Sequence, residues 1–111
     1  MHLSELSPGE LPRERLLAHG AAVLSDAELL AVLLRTGRAG ENVLDLARGI
    51  TARFREEGLA AILRMPAAEF ARIPGIGSAK AATVLAALEL GRRAYAGTRG
   101  MPRMNEASDV A

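Results

Sequence analysis

Eight residues in the second half of the chain, 73–80, have the composition of a helical hairpin that can hold an anion. They read IPGIGSAK. The proline ends one helix, because its ring disfavours the α conformation in the residue before it. The two glycines permit positive φ angles, and the two isoleucines can pin the turn between its helices. The pattern therefore predicts two helices joined by a tight turn whose shape is set before any ligand arrives.

The helix after this turn is expected to begin at Ser78 and to offer the chemistry of an oxyanion site. Its first amide groups have no partner within the helix and lie at the positive end of the helix dipole. Lys80, the only lysine among 14 basic residues, can add a charge to the same bound phosphate. The expected phosphate contacts are Gly75, Ile76, Gly77, Ser78 and Lys80.

A site of this kind grips the sugar-phosphate backbone and does not read base edges. We therefore expect its partner to be duplex or branched DNA, bound without sequence preference and in a salt-sensitive manner. Aromatic residues make up 3% of the chain, so base stacking adds little. The alternative for the same residues is a plain turn between two helices.

An earlier segment, residues 27–44, also runs helix, glycine-bearing turn, helix. Two such hairpins related by a pseudo-two-fold axis would clamp both strands of a duplex. The earlier turn has no proline and is longer, so an ordinary pair of antiparallel helices explains it equally well. If it is a second hairpin, its phosphate contacts are Arg35, Gly37, Arg38, Gly40 and Asn42.

The remaining pattern is helical, and no segment alternates with period two. Ser25 and Glu28 form a capping box, and Asn42 is placed to cap an amphipathic helix. The predicted fold class is therefore all-α: a small helical bundle that carries one helix-hairpin-helix element, or two of them in tandem. The predicted helices cover residues 12–19, 29–35, 43–57, 59–63, 66–73 and 78–95.

Composition narrows the class of protein. Half of the 111 residues are hydrophobic, which is enough for one helical core, and there is no cysteine for a disulfide or a thiolate metal site. Net charge is only +1, so any phosphate binding must come from local geometry. We expect no metal, no cofactor, no small-molecule substrate and no membrane span, and a cytoplasmic location.

Residues 1–96 are expected to form one helical domain. From Gly97 the pattern changes to a linker-like run, and residues 108–111 resemble the start of a new helix. We therefore expect residues 97–111 to be a linker and the truncated start of a missing C-terminal domain, which would also be a partner of the helical domain.

Several separated blocks resemble the N-terminal domain of the bacterial RadC family, described as DNA repair proteins. Residues 73–80 resemble the helix-hairpin-helix superfamily, and a tandem of hairpins would resemble the second domain of RuvA. The resemblance implies a C-terminal JAB/MPN-type domain with a zinc site, so zinc is implied only for that absent domain. The blocks are residues 12–17, 24–31, 34–37, 42–47, 73–77 and 89–93.

Two other functions compete with a DNA-binding module. The architecture also resembles DNA glycosylases related to endonuclease III, in which Lys80 would act as a lyase nucleophile. Those enzymes place a catalytic aspartate downstream of the hairpin, but the first acidic residue after Lys80 is Glu89 and the one after it is Glu106. We therefore expect this chain not to be an enzyme. The low net charge also fits a third function, a module that has lost DNA binding and kept only protein–protein contacts. Arg92 and Arg93 either touch a second phosphate or simply suit a helix C-terminus.

Overall fold

The computed structural model describes residues 11–37 and 40–97. These residues form α-helices and one 3₁₀ turn, with no β-strand among them, so the predicted all-α class is confirmed. The helices are α1 (Pro12–His19), α2 (Asp26–Leu34), α3 (Val43–Arg53), α4 (Ala60–Arg64), α5 (Ala67–Ala71) and α6 (Gly77–Gly97).

The ends of the first two helices follow local chemistry. Pro12 opens α1, where its missing N–H costs nothing, and Gly20 ends the helix with φ of 92°. The predicted capping box at the start of α2 is present: the Glu28 amide donates to Ser25 Oγ at 3.1 Å, and the Ser25 amide donates to Glu28 Oε1 at 2.8 Å. Arg15 on α1 reaches the same glutamate at 3.2 Å and joins the two helices.

Helix α3 begins as predicted and ends earlier than predicted. Asn42 caps it, because its Oδ1 accepts from the Asp45 amide at 2.8 Å. The expected end near residue 57 is wrong: the helix stops at Arg53 and Phe54 takes φ of −107°. The Phe54 ring is buried in the core, and the Gly58 amide closes the turn by donating to the Phe54 carbonyl at 2.8 Å.

Other boundaries also differ by a few residues. Helix α2 begins directly after Ser25 and ends at Leu34, whereas the expected segment was 29–35. Helix α5 ends at Ala71, two residues before the predicted end. Helix α6 continues through Gly97, so the first residue of the predicted linker is still helical. The rest of that linker and the proposed start of a further domain lie outside the described residues.

The core is a single apolar cluster centred on α2, α3 and α6. Helix α2 packs against α3 and α6, and α4 and α5 cover another part of α6. The most deeply buried large side chains come from five different segments: Phe70, Leu34, Ile50, Ile62 and Val84. The turn between α2 and α3, here called the first turn, and the turn between α5 and α6 (72–76), here called the second turn, therefore both connect helices of the same core. No described helix has the length and apolar character needed to cross a membrane.

Candidate nucleic-acid interface

The turn between α5 and α6 has the local geometry that its residues predict. The Ile76 amide donates to the Ile73 carbonyl at 2.9 Å and closes the turn. Both glycines adopt positive φ, 95° at Gly75 and 68° at Gly77. The Ile76 side chain is buried and the Ile73 side chain is partly buried, so both isoleucines anchor the turn to the core.

The two glycines of this turn have different surroundings. A Cβ atom added at Gly75 would stand 2.9 Å from Cδ1 of Leu46 on α3, which is too close for an ordinary contact. A Cβ atom added at Gly77 would meet nothing within 4 Å. Gly75 therefore faces the core and lets α3 approach, whereas Gly77 faces open space from which a ligand can arrive.

The open side of the turn carries the first amides of α6. Gly77, Ser78 and Ala79 are all exposed. In an α-helix these positions have no carbonyl of their own helix to bind, and they lie at the positive end of a dipole built from 21 residues. The Ile76 amide is already used within the turn, which leaves the amides of residues 77–79 as the donors available at this helix start.

Lys80 is joined to the other turn. Its Nζ atom donates to Oγ1 of Thr36 at 3.0 Å, across 44 positions of sequence. The residue is partly buried and lines a cleft together with residues of α2 and α6. Its ammonium group therefore links the start of α6 to the turn after α2, a position that the sequence spacing did not predict.

The first turn contains a residue with strained backbone geometry directly before Thr36, the residue that Lys80 contacts. Arg35 has φ of 72° and ψ of −46°, and the Thr36 amide donates to the Leu34 carbonyl at 2.8 Å. This is the geometry of a classic γ-turn, which is rare and strained for a residue other than glycine. The γ-turn ends α2 abruptly and directs Thr36 toward α6.

The other residues of the first turn, which were proposed as the phosphate contacts of a second hairpin, have different roles. Gly37 is required by packing, because a Cβ atom there would overlap the backbone carbonyl of Glu41. Gly40 has φ of 80° and faces open space. Asn42 uses its Oδ1 atom as the cap of α3, which leaves its Nδ2 group as a donor. Arg38 lies outside the described residues.

Two clefts near the start of α6 differ in charge. One, of about 340 Å³, has Arg35 and Lys80 as its charged lining residues. The other, which includes Pro74 of the second turn, has Glu41, Asp45 and Arg53 in its lining. An anion is therefore attracted to the first cleft and meets two carboxylates at the second.

Farther along α6, three side chains form a charged cluster. Arg92 donates to both carboxylate oxygens of Glu89, at 3.0 and 2.8 Å, and Arg93 donates to one of them at 2.8 Å. These hydrogen bonds lower the pKa of Glu89 to about 2, with Arg92 the larger contributor. Both arginines are thus engaged by one carboxylate, which lowers the net charge they present to a phosphate. Within the described ranges, no three His, Asp or Glu side chains gather as a metal site.

The sequence analysis assigned no role to two residues at this candidate site, Thr36 and Leu46. Nothing in the local sequence distinguishes either of them, because each acts through a contact with a residue about 30 or more positions away.

Comparison with known proteins places the chain in a family. The family model described as UPF0758 N-terminal matches residues 3–82. A UPF0758 protein of Nitrosospira multiformis is 49% identical over 94 residues, covering 85% of this chain and 41% of the relative. A UPF0758 protein of Alcanivorax borkumensis is 48% identical over 107 residues, covering 95% of this chain and 47% of the relative.

This chain spans less than half of the length of these curated relatives. No solved structure matches it. Because the family model covers well over half of the chain, the chain belongs to the UPF0758 N-terminal family.

Proposed function

We propose that this UPF0758 N-terminal domain binds the DNA backbone without sequence preference, through a helix-hairpin-helix element at residues 73–80. The observation that carries the proposal is Gly77, which combines a positive φ of 68° with open space outside it, at the start of the longest described helix. A phosphate can approach the amides of residues 77–79 there without displacing any side chain. The resemblance to the RadC family supports a role in DNA repair or recombination.

The arrangement of charge supports binding to phosphate and predicts that it is weak. The chain carries a net charge of +1, so there is no long-range attraction of the kind seen in strongly basic proteins. A site with few phosphate contacts is expected to bind nonspecifically, with a dissociation constant of about 10⁻⁴–10⁻⁶ M at physiological salt. Tight binding would then require other parts of a longer chain, which fits a module that delivers a further domain to DNA.

The lack of base readout follows from the kind of donor that the site offers. Backbone amides at a helix N-terminus contact phosphate oxygens, which are the same at every base pair. The exposed residues at the start of α6, Gly77, Ser78 and Ala79, are too small to reach a base edge in either groove. Duplexes of different sequence should therefore bind equally well.

The experiment compares two nearly isosteric substitutions at Gly77. Asparagine and aspartate both tolerate the left-handed conformation, so Gly77→Asn and Gly77→Asp impose the same backbone demand and differ in charge. Fluorescence anisotropy with a labelled duplex and a labelled four-way junction, at low salt, should show weakened binding for Gly77→Asn and no measurable binding for Gly77→Asp. Circular dichroism checks that both variants fold. Equal binding by the two folded variants would refute the proposal.

A second candidate function is a protein–protein module that has lost DNA binding. It is favoured by the C-terminal half of α6, where Leu90 is 67% exposed and Tyr95 is 74% exposed. Exposed apolar side chains of this size offer contact area that a protein partner can cover. If the unmodified domain shows no salt-dependent association with either DNA at low ionic strength, this second function becomes the better one.

A further inference from the structure

The cleft between the end of α2 and the start of α6 contains hydrogen-bond donors from both segments. Polar residues from both segments line it, together with apolar residues of α2. Its lining residues are Leu33, Leu34, Arg35, Thr36, Ala79, Lys80 and Thr83. No carboxylate is among them, so the charged groups at this cleft are both cationic.

The Lys80–Thr36 hydrogen bond determines which way the threonine hydroxyl group donates. An ammonium group has only donors, so Oγ1 of Thr36 must accept in the 3.0 Å contact. The hydroxyl proton of Thr36 is therefore left to donate to a different acceptor. Lys80 in turn uses one of its three N–H groups on Thr36 and keeps two.

Arg35, which also lines this cleft, brings a third donor group to the end of α2. Its guanidinium group carries five N–H donors and is always charged. Thr83 adds none, because its hydroxyl donates to the Ala79 carbonyl at 3.2 Å within α6. The free hydrogen-bonding capacity of the side chains that line the cleft is thus dominated by donors, which is the complement of a ligand with several acceptor oxygens and a negative charge.

We propose that this cleft is a second phosphate-binding site, formed by Arg35, Thr36 and Lys80, which holds a DNA backbone phosphate in addition to the one at the amides of residues 77–79. The proposal rests on the proposed function, because it assumes that the same domain face meets DNA. The sequence analysis expected Lys80 to contact the phosphate bound at the hairpin amides; here Lys80 instead contacts the phosphate in the cleft, beside Thr36. The proposal also gives Thr36 a role in binding, as a donor and as the group that positions the Lys80 ammonium.

Thr36→Val separates this site from a single-hairpin site, because the two arrangements predict opposite results. If phosphate is held only at residues 77–79, loss of the hydroxyl group releases Lys80, and binding stays equal or becomes tighter. If the cleft holds a phosphate, loss of one donor and of the lysine's fixed position should weaken binding about tenfold. Anisotropy titrations of a labelled duplex at several salt concentrations provide the measurement.

Arg35→Gln tests the cleft through the salt dependence of binding, independently of Thr36. Removing one cationic phosphate contact should reduce the slope of log K against log salt by about 0.9. The matched control is Arg55→Gln, which removes the same charge near Asp26, at the opposite end of α2. We expect the control to leave the slope unchanged.

The failures of the two proposals are distinguishable. Only the second site is overturned if the unmodified domain binds DNA and Gly77→Asp abolishes that binding, while the cleft variants have no effect. No effect means that Thr36→Val binds as tightly as the unmodified domain and that Arg35→Gln has the same salt-dependence slope as Arg55→Gln. If the unmodified domain shows no salt-dependent binding, the proposed function itself fails and the cleft proposal fails with it. Circular dichroism of Thr36→Val confirms that the bundle is intact.

Discussion

Replacing Gly75 by alanine should destabilise the bundle through two separate effects. The first is conformational: φ of 95° is a backbone state that alanine adopts at a cost of about 1–2 kcal/mol. The second is steric: the new Cβ atom would stand 2.9 Å and 3.2 Å from the two Cδ atoms of Leu46, a core residue that is 5% exposed. Overpacking of this kind costs about 1–3 kcal/mol, so the sum is about 2–5 kcal/mol.

Gly77→Ala is the matched control, because it carries the first effect without the second. Gly77 also has positive φ, and its added Cβ atom meets nothing within 4 Å. Its expected cost is about 1–2 kcal/mol. Alanine also reduces the conformational entropy of the unfolded chain, but it does so equally at both positions, and the contribution cancels in the comparison.

Urea unfolding followed by circular dichroism measures both variants, alone and combined with Leu46→Val. Valine has no Cδ atoms, so in that background the excess cost of Gly75→Ala over Gly77→Ala should largely disappear. The coupling in this cycle isolates the contact between the turn and α3. If both glycine variants lose the same stability with Leu46 intact, the assignment of Gly75 as a packing glycine is wrong.

Two further predictions concern the caps and the charges. Ser25→Ala should cost about 1 kcal/mol in urea unfolding, because it removes half of the capping box at the start of α2. The backbone hydrogen bond from Ser25 lowers the pKa of Glu28 below its ordinary value of 4.5, so the folded state gains stability from this carboxylate above pH 4.5 and loses it as the pH falls through the lower, folded-state value. Alanine keeps that backbone donor and removes only the smaller contribution of the Ser25 side chain, so this acid-side loss should be only slightly smaller in Ser25→Ala. An NMR titration of Glu89 should give a pKa of about 2, and in Arg92→Ala it should move upward toward the ordinary value, whereas an unchanged value would contradict the observed hydrogen bonds.

Helix caps and the geometry of the second turn were predictable because they depend on neighbouring residues. A serine followed three residues later by glutamate satisfies two backbone amides wherever it occurs, and the capping box formed as expected. The Asn42 cap formed for the same reason. In the second turn, proline and glycine restrict or extend the backbone through their own covalent structure, so the positive φ angles of its two glycines followed from residue type.

Helix ends were less predictable, because tertiary packing decides them. Residues 54–57 have no helix-breaking residue, and the amphipathic pattern continued through them. The helix ends there because burying the Phe54 ring in the core stabilises a turn closed by Gly58. Arg35 is a second example. Arginine has good helix propensity, yet Arg35 does not continue α2 and instead adopts a strained γ-turn with positive φ.

The sequence by itself determined that this protein is helical and that residues 73–80 form a turn with exposed amides at the start of a long helix. Those properties depend on proline, glycine and side-chain periodicity over a few residues. Only the tertiary structure decided which glycine faces the core, and where the single lysine donates its hydrogen bond. Both are contacts between segments distant in sequence, and the packing of α2, α3 and α6 brings those segments together.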